Sequence, residues 1–344
     1  MELELQNDPK KLKRGRRLFV ISLLVVSLLS IAWMNTKYDS LSRYPYTDQK
    51  SRQLIKKYLN KSEIEYIIEY SIAPNMFIAY IQEDGFNIYH AAEYKALSAY
   101  EWQASPASIV KMVEETRNQI DVDTLAAYLQ SYTYEELHQF LTEGDVYSGS
   151  GTLLQNAASP EAYLNDTIGV GMRTPQGLQE LNAAVPAANG AKIIVSETIQ
   201  QPLQDLCAEI QQDAGSTMAC DGLSVEQGYI SYEAQKQRYE TAQTQYGTEA
   251  VKYEFYPGHS DHQLGLAVDF SVDGVLDNDF AKTSQYQWLQ EKAYTFGFVE
   301  DYTKDDAGRT NKNAQPYHFR YVGTDLALRL HNSGSTFSEW ASQQ

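Results

Sequence analysis

Positive charge is scarce in this chain of 344 residues, whose formal net charge is −17 at neutral pH. Residues 1–17 hold six Lys and Arg against three Asp and Glu, so the remaining residues sum to −20. A nucleic-acid groove or a polybasic membrane face needs the opposite sign over a broad surface. Both are excluded as the main activity, and no nucleic-acid partner is expected.

Nucleotide-binding and catalytic motifs are lacking in the first half of the chain. Gly169-Val170-Gly171 has no third glycine and follows no clear strand, so it does not match the dinucleotide fingerprint. His90 and His138 are isolated, and the tyrosines there recur at spacings expected of core packing. A hydrophobic content of 43% nevertheless suffices for two domains with their own cores, which excludes a disordered chain.

One long apolar run lies near the N-terminus, Leu18–Met34, directly after the basic residues of segment 1–17. Its length is at the short limit for spanning a bilayer, and the basic flank is expected in the cytoplasm. We favour a transmembrane signal anchor. A cleavable signal peptide is the alternative, since Ser30-Ile31-Ala32 resembles a cleavage site, although bulky Trp33 and Met34 follow. Either way, the rest of the chain is exported.

Cysteine is nearly absent, with only Cys207 and Cys220 in the chain. Export would bring both into an oxidising or extracellular environment, where a disulfide closing a short loop can persist. The alternative is two unpaired buried thiols, and the sequence does not decide between them.

Residues 35–147 show a helical pattern. Ser62 with Glu65, and Thr133 with Glu136, each match a capping box that precedes apolar residues. We interpret this part as a mainly helical accessory region. The Gly- and Ser-rich stretch 148–152 predicts a flexible linker with a domain boundary nearby.

Beyond the linker, helices and strands mix. Lys192–Val195 predicts a short strand, and Pro202 suits the first turn of a helix that Gly215 would end. Ser231 can cap a helix over 232–246. Because strands and helices do not alternate regularly, the pattern indicates an α+β domain rather than a doubly wound sheet.

An aspartate, Asp269, interrupts the apolar strand-like run Leu264–Phe270, and a carboxylate buried there needs a cation or a metal. His262 would point to the opposite face of a continuous strand, but Gly265 permits a bend that brings the two together. His318 can project from a second strand. Two imidazoles and one carboxylate leave tetrahedral zinc one open position, the arrangement of a catalytic zinc.

Two signatures carry a family resemblance. The string Ser260-x-His262-x-x-Gly265-x-Ala267-x-Asp269 resembles the zinc signature of VanY-type D-alanyl-D-alanine carboxypeptidases. The string Tyr317-His318-Phe319-Arg320-Tyr321-Val322-Gly323 resembles their terminal signature, and intervening segments match in the same order. Signatures in register are more specific than one short pattern.

The resemblance implies a small mixed or antiparallel sheet with flanking helices around a zinc cleft. It also implies His262, Asp269 and His318 as zinc ligands and Ser260 near the substrate. The expected substrate is a peptidoglycan stem peptide ending in D-Ala-D-Ala. Charge, hydropathy and composition, together with the resemblance, predict these segments: 1–17 cytoplasmic, 18–34 transmembrane, 35–147 accessory, 148–189 connecting, 190–332 zinc carboxypeptidase domain and 333–344 tail.

Two positions depart from the family pattern. The family has a Glu, the general base, three residues before the last zinc ligand, and this chain has Gln315 there. Where the family has an Arg that stabilises developing negative charge, this chain has Ile230. We therefore expect a membrane-anchored, extracytoplasmic zinc carboxypeptidase domain with impaired catalysis. The alternative is a zinc-binding pseudoenzyme that binds wall peptides or a protein partner without cleavage.

Overall fold

The structure, a computed structural model, describes residues 9–37, 39–100, 104–149 and 151–344. It divides into two compact units, Met1–Glu115 and Thr116–Gln344. The helices of residues 116–147 therefore group with the second unit, although the sequence assigned them to the accessory region. The predicted domain limits themselves stay predictions.

The first unit begins with a long apolar helix, α1, over Pro9–Lys37. Its segment Gly15–Met34 has a mean hydropathy of 2.2 and is long enough to cross a membrane, although a signal sequence has the same properties. Four shorter helices follow: α2 Gln49–Tyr58, α3 Lys61–Glu69, α4 Ala91–Leu97 and α5 Pro106–Thr116. A buried cluster that includes Leu41, Ile55 and Phe77 forms the core of this unit.

One predicted helix start in the first unit is wrong. The capping box of α3 is formed by Asn60 and Glu63, not by Ser62 and Glu65. The Asn60 side chain accepts hydrogen bonds from both the Glu63 N–H, at 3.1 Å, and the Ser62 hydroxyl, at 2.6 Å. Asn is at least as good a cap as Ser, so the earlier residue starts the helix.

The second unit contains both helices and strands. Its helices are α6 Val122–Tyr128, α7 Tyr134–Glu143, α8 Glu197–Ala214, α9 Tyr232–Tyr246, α10 Asp277–Phe280, α11 Ser284–Lys292, α12 Ala307–Thr310, α13 Thr324–Ser333 and α14 Phe337–Ala341. Its strands are β1 Thr152–Leu153, β2 Ile168–Gly169, β3 Leu178–Glu180, β4 Ile194–Ser196, β5 Leu223–Gln227, β6 Ala267–Val272, β7 Phe298–Glu300 and β8 His318–Tyr321. The α+β prediction is confirmed.

The central element is a four-stranded sheet in the order β5-β6-β8-β7, in which every neighbouring pair is antiparallel. Along β6, Val268 and Phe270 are buried on one face, while Asp269 lies on the other face because side chains alternate along a strand. β1 pairs with β2 in parallel, and β3 pairs with β4 in an antiparallel arrangement.

Helix caps explain where several of these helices begin. Thr133 and Glu136 form the predicted capping box of α7, and Ser231 caps α9 as predicted. The prediction for Pro202 is wrong, because α8 begins five residues earlier at Glu197. The Ser196 side chain caps α8 by accepting from the Thr198 N–H. The helix continues through Pro202, which cannot donate a helical hydrogen bond.

A disulfide joins Cys207 of α8 to Cys220, 13 residues along the chain. This decides between the two alternatives that the sequence left open. The bond closes the turn that leads from α8 into β5, and both cysteines are buried.

Candidate metal centre

A tight turn places His262 against β6. Residues Asp261–Leu264 form one 3₁₀ turn, which Ser260 caps by accepting from the His262 N–H at 3.3 Å. Gly265 ends the turn with φ +70°, a conformation that side chains with a Cβ rarely adopt. A Cβ there would lie 3.2 Å from the backbone N of Ser196. The bend predicted at Gly265 is confirmed.

Three side chains converge at this turn. Asp269 of β6 and His318 of β8 are direct partners in the sheet register, and Asp269 Oδ1 lies 2.9 Å from His318 Nδ1. The same oxygen lies 3.3 Å from His262 Nε2. One ligand atom from each residue lies within 4.8 Å of the others. His262, Asp269 and His318 are called the three-ligand cluster below.

A hydrogen bond orients the imidazole of His262, and a nearby carboxylate faces the outer nitrogen of His318. His262 Nδ1 lies 2.7 Å from the Gly228 carbonyl, so Nδ1–H donates and the Nε2 lone pair faces Asp269. His318 Nε2 faces Asp261 Oδ2 at 3.8 Å, which leaves Nδ1 for the cluster. We assign these tautomers from the neighbouring atoms. A partner on the outer ring nitrogen is the usual way in which proteins orient a metal-binding His.

The cluster fits a zinc ion. Zinc bonds of about 2.0–2.2 Å in a tetrahedral arrangement separate ligand atoms by about 3.4 Å. Two of the three separations, 3.3 and 2.9 Å, are of that order, and the third is at most 4.8 Å. Two imidazole nitrogens and one carboxylate oxygen are also the donor set of catalytic zinc sites.

The electrostatics of the cluster favour positive charge. Burial alone would lower the pKa of His318, but Asp261 and Asp269 outweigh burial and raise that pKa to about 10. Burial would likewise raise the pKa of Asp269, but His262 and His318 hold it well below the usual range. Carboxylates therefore stabilise a cation at this point in the sheet.

A second layer of charged groups lies behind His318, and sequence reasoning did not assign it a role. Asp261 accepts from the Tyr302 hydroxyl at 3.0 Å and lies 3.4 Å from Arg320 Nε. Asp301 is also buried, and its pKa is raised to about 7 by burial and by the charge of Asp261. The sequence did hold one indication of this layer, because Arg320 lies two residues after His318 and therefore on the same face of the strand.

The two residues that depart from the expected family pattern are each joined to a member of the cluster by a backbone hydrogen bond. The Gln315 carbonyl accepts from the His318 N–H at 3.0 Å, and the Gln315 side chain is only 9% exposed. The Ile230 N–H donates to the His262 carbonyl at 3.3 Å, and Ile230 is buried. Ser260 is fully buried with its hydroxyl engaged in the cap, so its predicted role near substrate stays a prediction.

His259 precedes the 3₁₀ turn and is held by hydrogen bonds of its own. Its Nε2 lies 2.6 Å from Asp145 Oδ2, and its Nδ1 lies 2.6 Å from the Asn165 carbonyl. Asp145 also accepts from the Ser148 hydroxyl at 2.5 Å. A Cβ at Gly169 would lie 2.8 Å from the His259 ring, so that glycine serves packing.

Comparisons with known proteins find similarity within the second unit. Residues 192–324 match the family model of VanY, D-alanyl-D-alanine carboxypeptidase. A D-alanyl-D-alanine carboxypeptidase of Enterococcus faecalis is 38% identical over 92 residues, 27% of this chain and 33% of the relative. The putative carboxypeptidase YodJ of Bacillus subtilis is 34% identical over 122 residues, 34% of this chain and 45% of the relative.

The chain thus spans a third to just under half the length of these curated relatives. A solved structure of the LdcB LD-carboxypeptidase, described for its peptidoglycan recognition, superposes with a TM-score of 0.52 at 26% identity. That match covers 56% of this chain and 90% of the other. Residues 192–324, within the second unit, are therefore similar to the D-alanyl-D-alanine carboxypeptidase domain of the VanY family.

Proposed function

We propose that the chain is a membrane-anchored zinc D,D-carboxypeptidase that engages peptidoglycan stem peptides ending in D-Ala-D-Ala with impaired catalysis. The single observation that supports impaired catalysis is the presence of Gln315 at the position expected for the general base. Support for the substrate class comes from relatives named as D-alanyl-D-alanine carboxypeptidases.

The three-ligand cluster is the proposed zinc site. A zinc ion held there would polarise the scissile carbonyl and lower the pKa of an attacking water. The chain's own contribution is orientation. Gly228 fixes the ring of His262, and Asp261 faces the outer nitrogen of His318.

Gln315 limits proton transfer in this proposal. Its side-chain oxygen can accept a hydrogen bond from water and orient it, but an amide does not take up a proton at neutral pH. General acid–base catalysis contributes roughly 10² to 10⁴ in rate. Ile230 lowers the expected rate further, because removing one group that stabilises the transition state electrostatically typically lowers the rate by about 10² to 10³.

The second candidate function is a pseudoenzyme that binds zinc and wall peptides or a protein partner without cleavage. The observation that favours it is the pairing of both departures at one site. Ile230 is 4% exposed and has no charged group to offer a substrate carboxylate or a developing oxyanion. Such a module would keep metal and peptide affinity while turnover is absent.

The proposed location is the cell membrane, with the N-terminus in the cytoplasm and the zinc domain outside. The basic residues before the apolar part of α1 favour that orientation. The disulfide between Cys207 and Cys220 is consistent with export, because such bonds are rare in the cytosol.

The test of catalysis uses the full chain in detergent with zinc and a pentapeptide ending in D-Ala-D-Ala. We expect Gln315→Glu to raise D-Ala release by about 10² or more, and further with Ile230→Arg. Gln237→Glu, at an exposed position of α9, is the matched control for the added charge. Equal release by wild type and Gln315→Glu would show that catalysis is not impaired by Gln315.

Two further measurements separate the candidate functions. Zinc stoichiometry should fall in His262→Ala and His318→Ala, and unchanged stoichiometry would refute the ligand assignment. Calorimetric binding of the pentapeptide to wild type, with no D-Ala release over long incubation, would favour the pseudoenzyme.

A further inference from the structure

A cavity of about 490 Å³ lies within the second unit, beside the turn that carries His262. No member of the cluster lines it. Leu266 lines the cavity and lies three residues before Asp269. Because side chains alternate along extended chain, the side chains of Leu266 and Asp269 point to opposite faces. The volume is in the range of small-molecule sites.

Most of the cavity wall comes from outside the residues that match the family model. Segments 129–136, 157–160 and 173–176 contribute, while only the start of α8 and two leucines before β6 come from residues 192–324. The family assignment therefore does not account for this cavity.

The distinctive side chain in the wall is Arg173, which is only 6% exposed. Its Nε donates to the Ser131 carbonyl at 2.7 Å. Arg173 lines the cavity, and its two terminal nitrogens have no hydrogen-bond partner among the described residues. A buried guanidinium without a bonded anion is costly, which indicates that the position is kept for a ligand.

The one carboxylate in the wall does not neutralise Arg173 by direct pairing. Both oxygens of Glu136 accept backbone N–H groups, from Thr133 at 2.9 Å and Thr174 at 2.8 Å. Ser196 and Thr198, also in the wall, lie at the N-terminus of the 18-residue helix α8, where the helix dipole favours anions. Hydroxyl groups there can donate to the same anion.

We propose that this cavity binds a small molecule carrying a carboxylate or phosphate group, held by the fork of Arg173. A guanidinium binds either oxyanion through two parallel hydrogen bonds. The chain's net charge of −17 disfavours general accumulation of anions, so binding depends on this local positive charge. The inference does not depend on zinc or on peptidase activity.

The experiment is calorimetric titration of the full chain in detergent with two probes, inorganic phosphate and N-acetylalanine. We expect saturable binding of at least one probe at one site per chain. Arg173→Gln should weaken it by about tenfold or more, because a charge-assisted hydrogen-bond pair is lost. The matched control is Arg329→Gln, which removes the same charge from a side chain that is 61% exposed.

A second variant keeps the proposal testable if Arg173→Gln fails to fold. Ala158 is an exposed residue of the cavity wall, so Ala158→Trp fills space without disturbing the core. Loss of binding in this variant, with unchanged melting temperature, supports the site. Binding of phosphate alone or of N-acetylalanine alone identifies the ligand class. The proposal is overturned by no binding to wild type, by equal losses in Arg173→Gln and Arg329→Gln, or by wild-type binding to Ala158→Trp.

Discussion

Replacing Arg320 with Met should strongly destabilise the second unit. Arg320 is fully buried, and its Nε lies 3.4 Å from Asp261. One terminal nitrogen donates to the carbonyls of Pro160, at 3.1 Å, and Ala162, at 2.9 Å. The guanidinium carbon also lies 5.8 Å from the centre of the Phe337 ring. Arg320 thus ties the chain before β2 to the central sheet.

The expected cost follows from what Met leaves behind. Met fills most of the volume, but the carboxylate of Asp261 remains buried without its nearest cation. Breaking a buried ion pair from one side costs about 3–5 kcal/mol. For a unit of this size, each kcal/mol lowers Tm by about 2–4 °C, so we expect a fall of roughly 6–20 °C.

A double-mutant cycle tests the assigned cause. Asp261→Asn in the Arg320→Met background removes the unpaired charge and should recover stability, with an interaction free energy above about 1 kcal/mol. Arg329→Met, at an exposed position, should change stability by less than about 0.5 kcal/mol. Chemical denaturation of the full chain in detergent with saturating zinc measures all four variants. Additive losses at Arg320 and Asp261, or a cost below about 1 kcal/mol for Arg320→Met, would refute the reasoning.

Three further predictions concern the same unit. Reduction of the disulfide, or the double change Cys207→Ser and Cys220→Ser, should lower the free energy of unfolding by about 3 kcal/mol, because the unfolded chain is no longer constrained by a closed loop of this length. A melting curve insensitive to reductant contradicts this. Burial would raise the pKa of Asp145, but hydrogen bonds from His259 and Ser148 hold it below its unfolded value. The resulting stability is present above about pH 4 and is lost as pH falls further, so Asp145→Asn should show a smaller loss in acid denaturation. A chelator should lower Tm and added zinc should restore it, whereas an unchanged Tm with no zinc in the purified chain argues against the three-ligand cluster as a metal site.

Local chemistry made much of the site predictable from sequence. Asp269 in an apolar run required a cation, Gly265 allowed the bend, and alternation along a strand placed His318 towards the cleft. Helix starts at Thr133 and Ser231 followed from short-range capping. These inferences depend on residues close together in sequence, which is why they hold without knowledge of the fold. The predicted start of α8 at Pro202 was wrong, because Ser196 caps the helix earlier in the chain.

The sequence by itself determined the α+β class, and it predicted the ligand types with their order and the two departures at Gln315 and Ile230. Only the tertiary structure decided whether Cys207 and Cys220 pair, which carboxylate faces the outer nitrogen of His318, and that Arg173 lines a cavity. The physical reason is distance along the chain. Arg320 bonds to carbonyls nearly half the chain away, and no local pattern encodes such meetings between distant segments. They arise when the chain packs, because a buried polar group must find a partner wherever one is brought close.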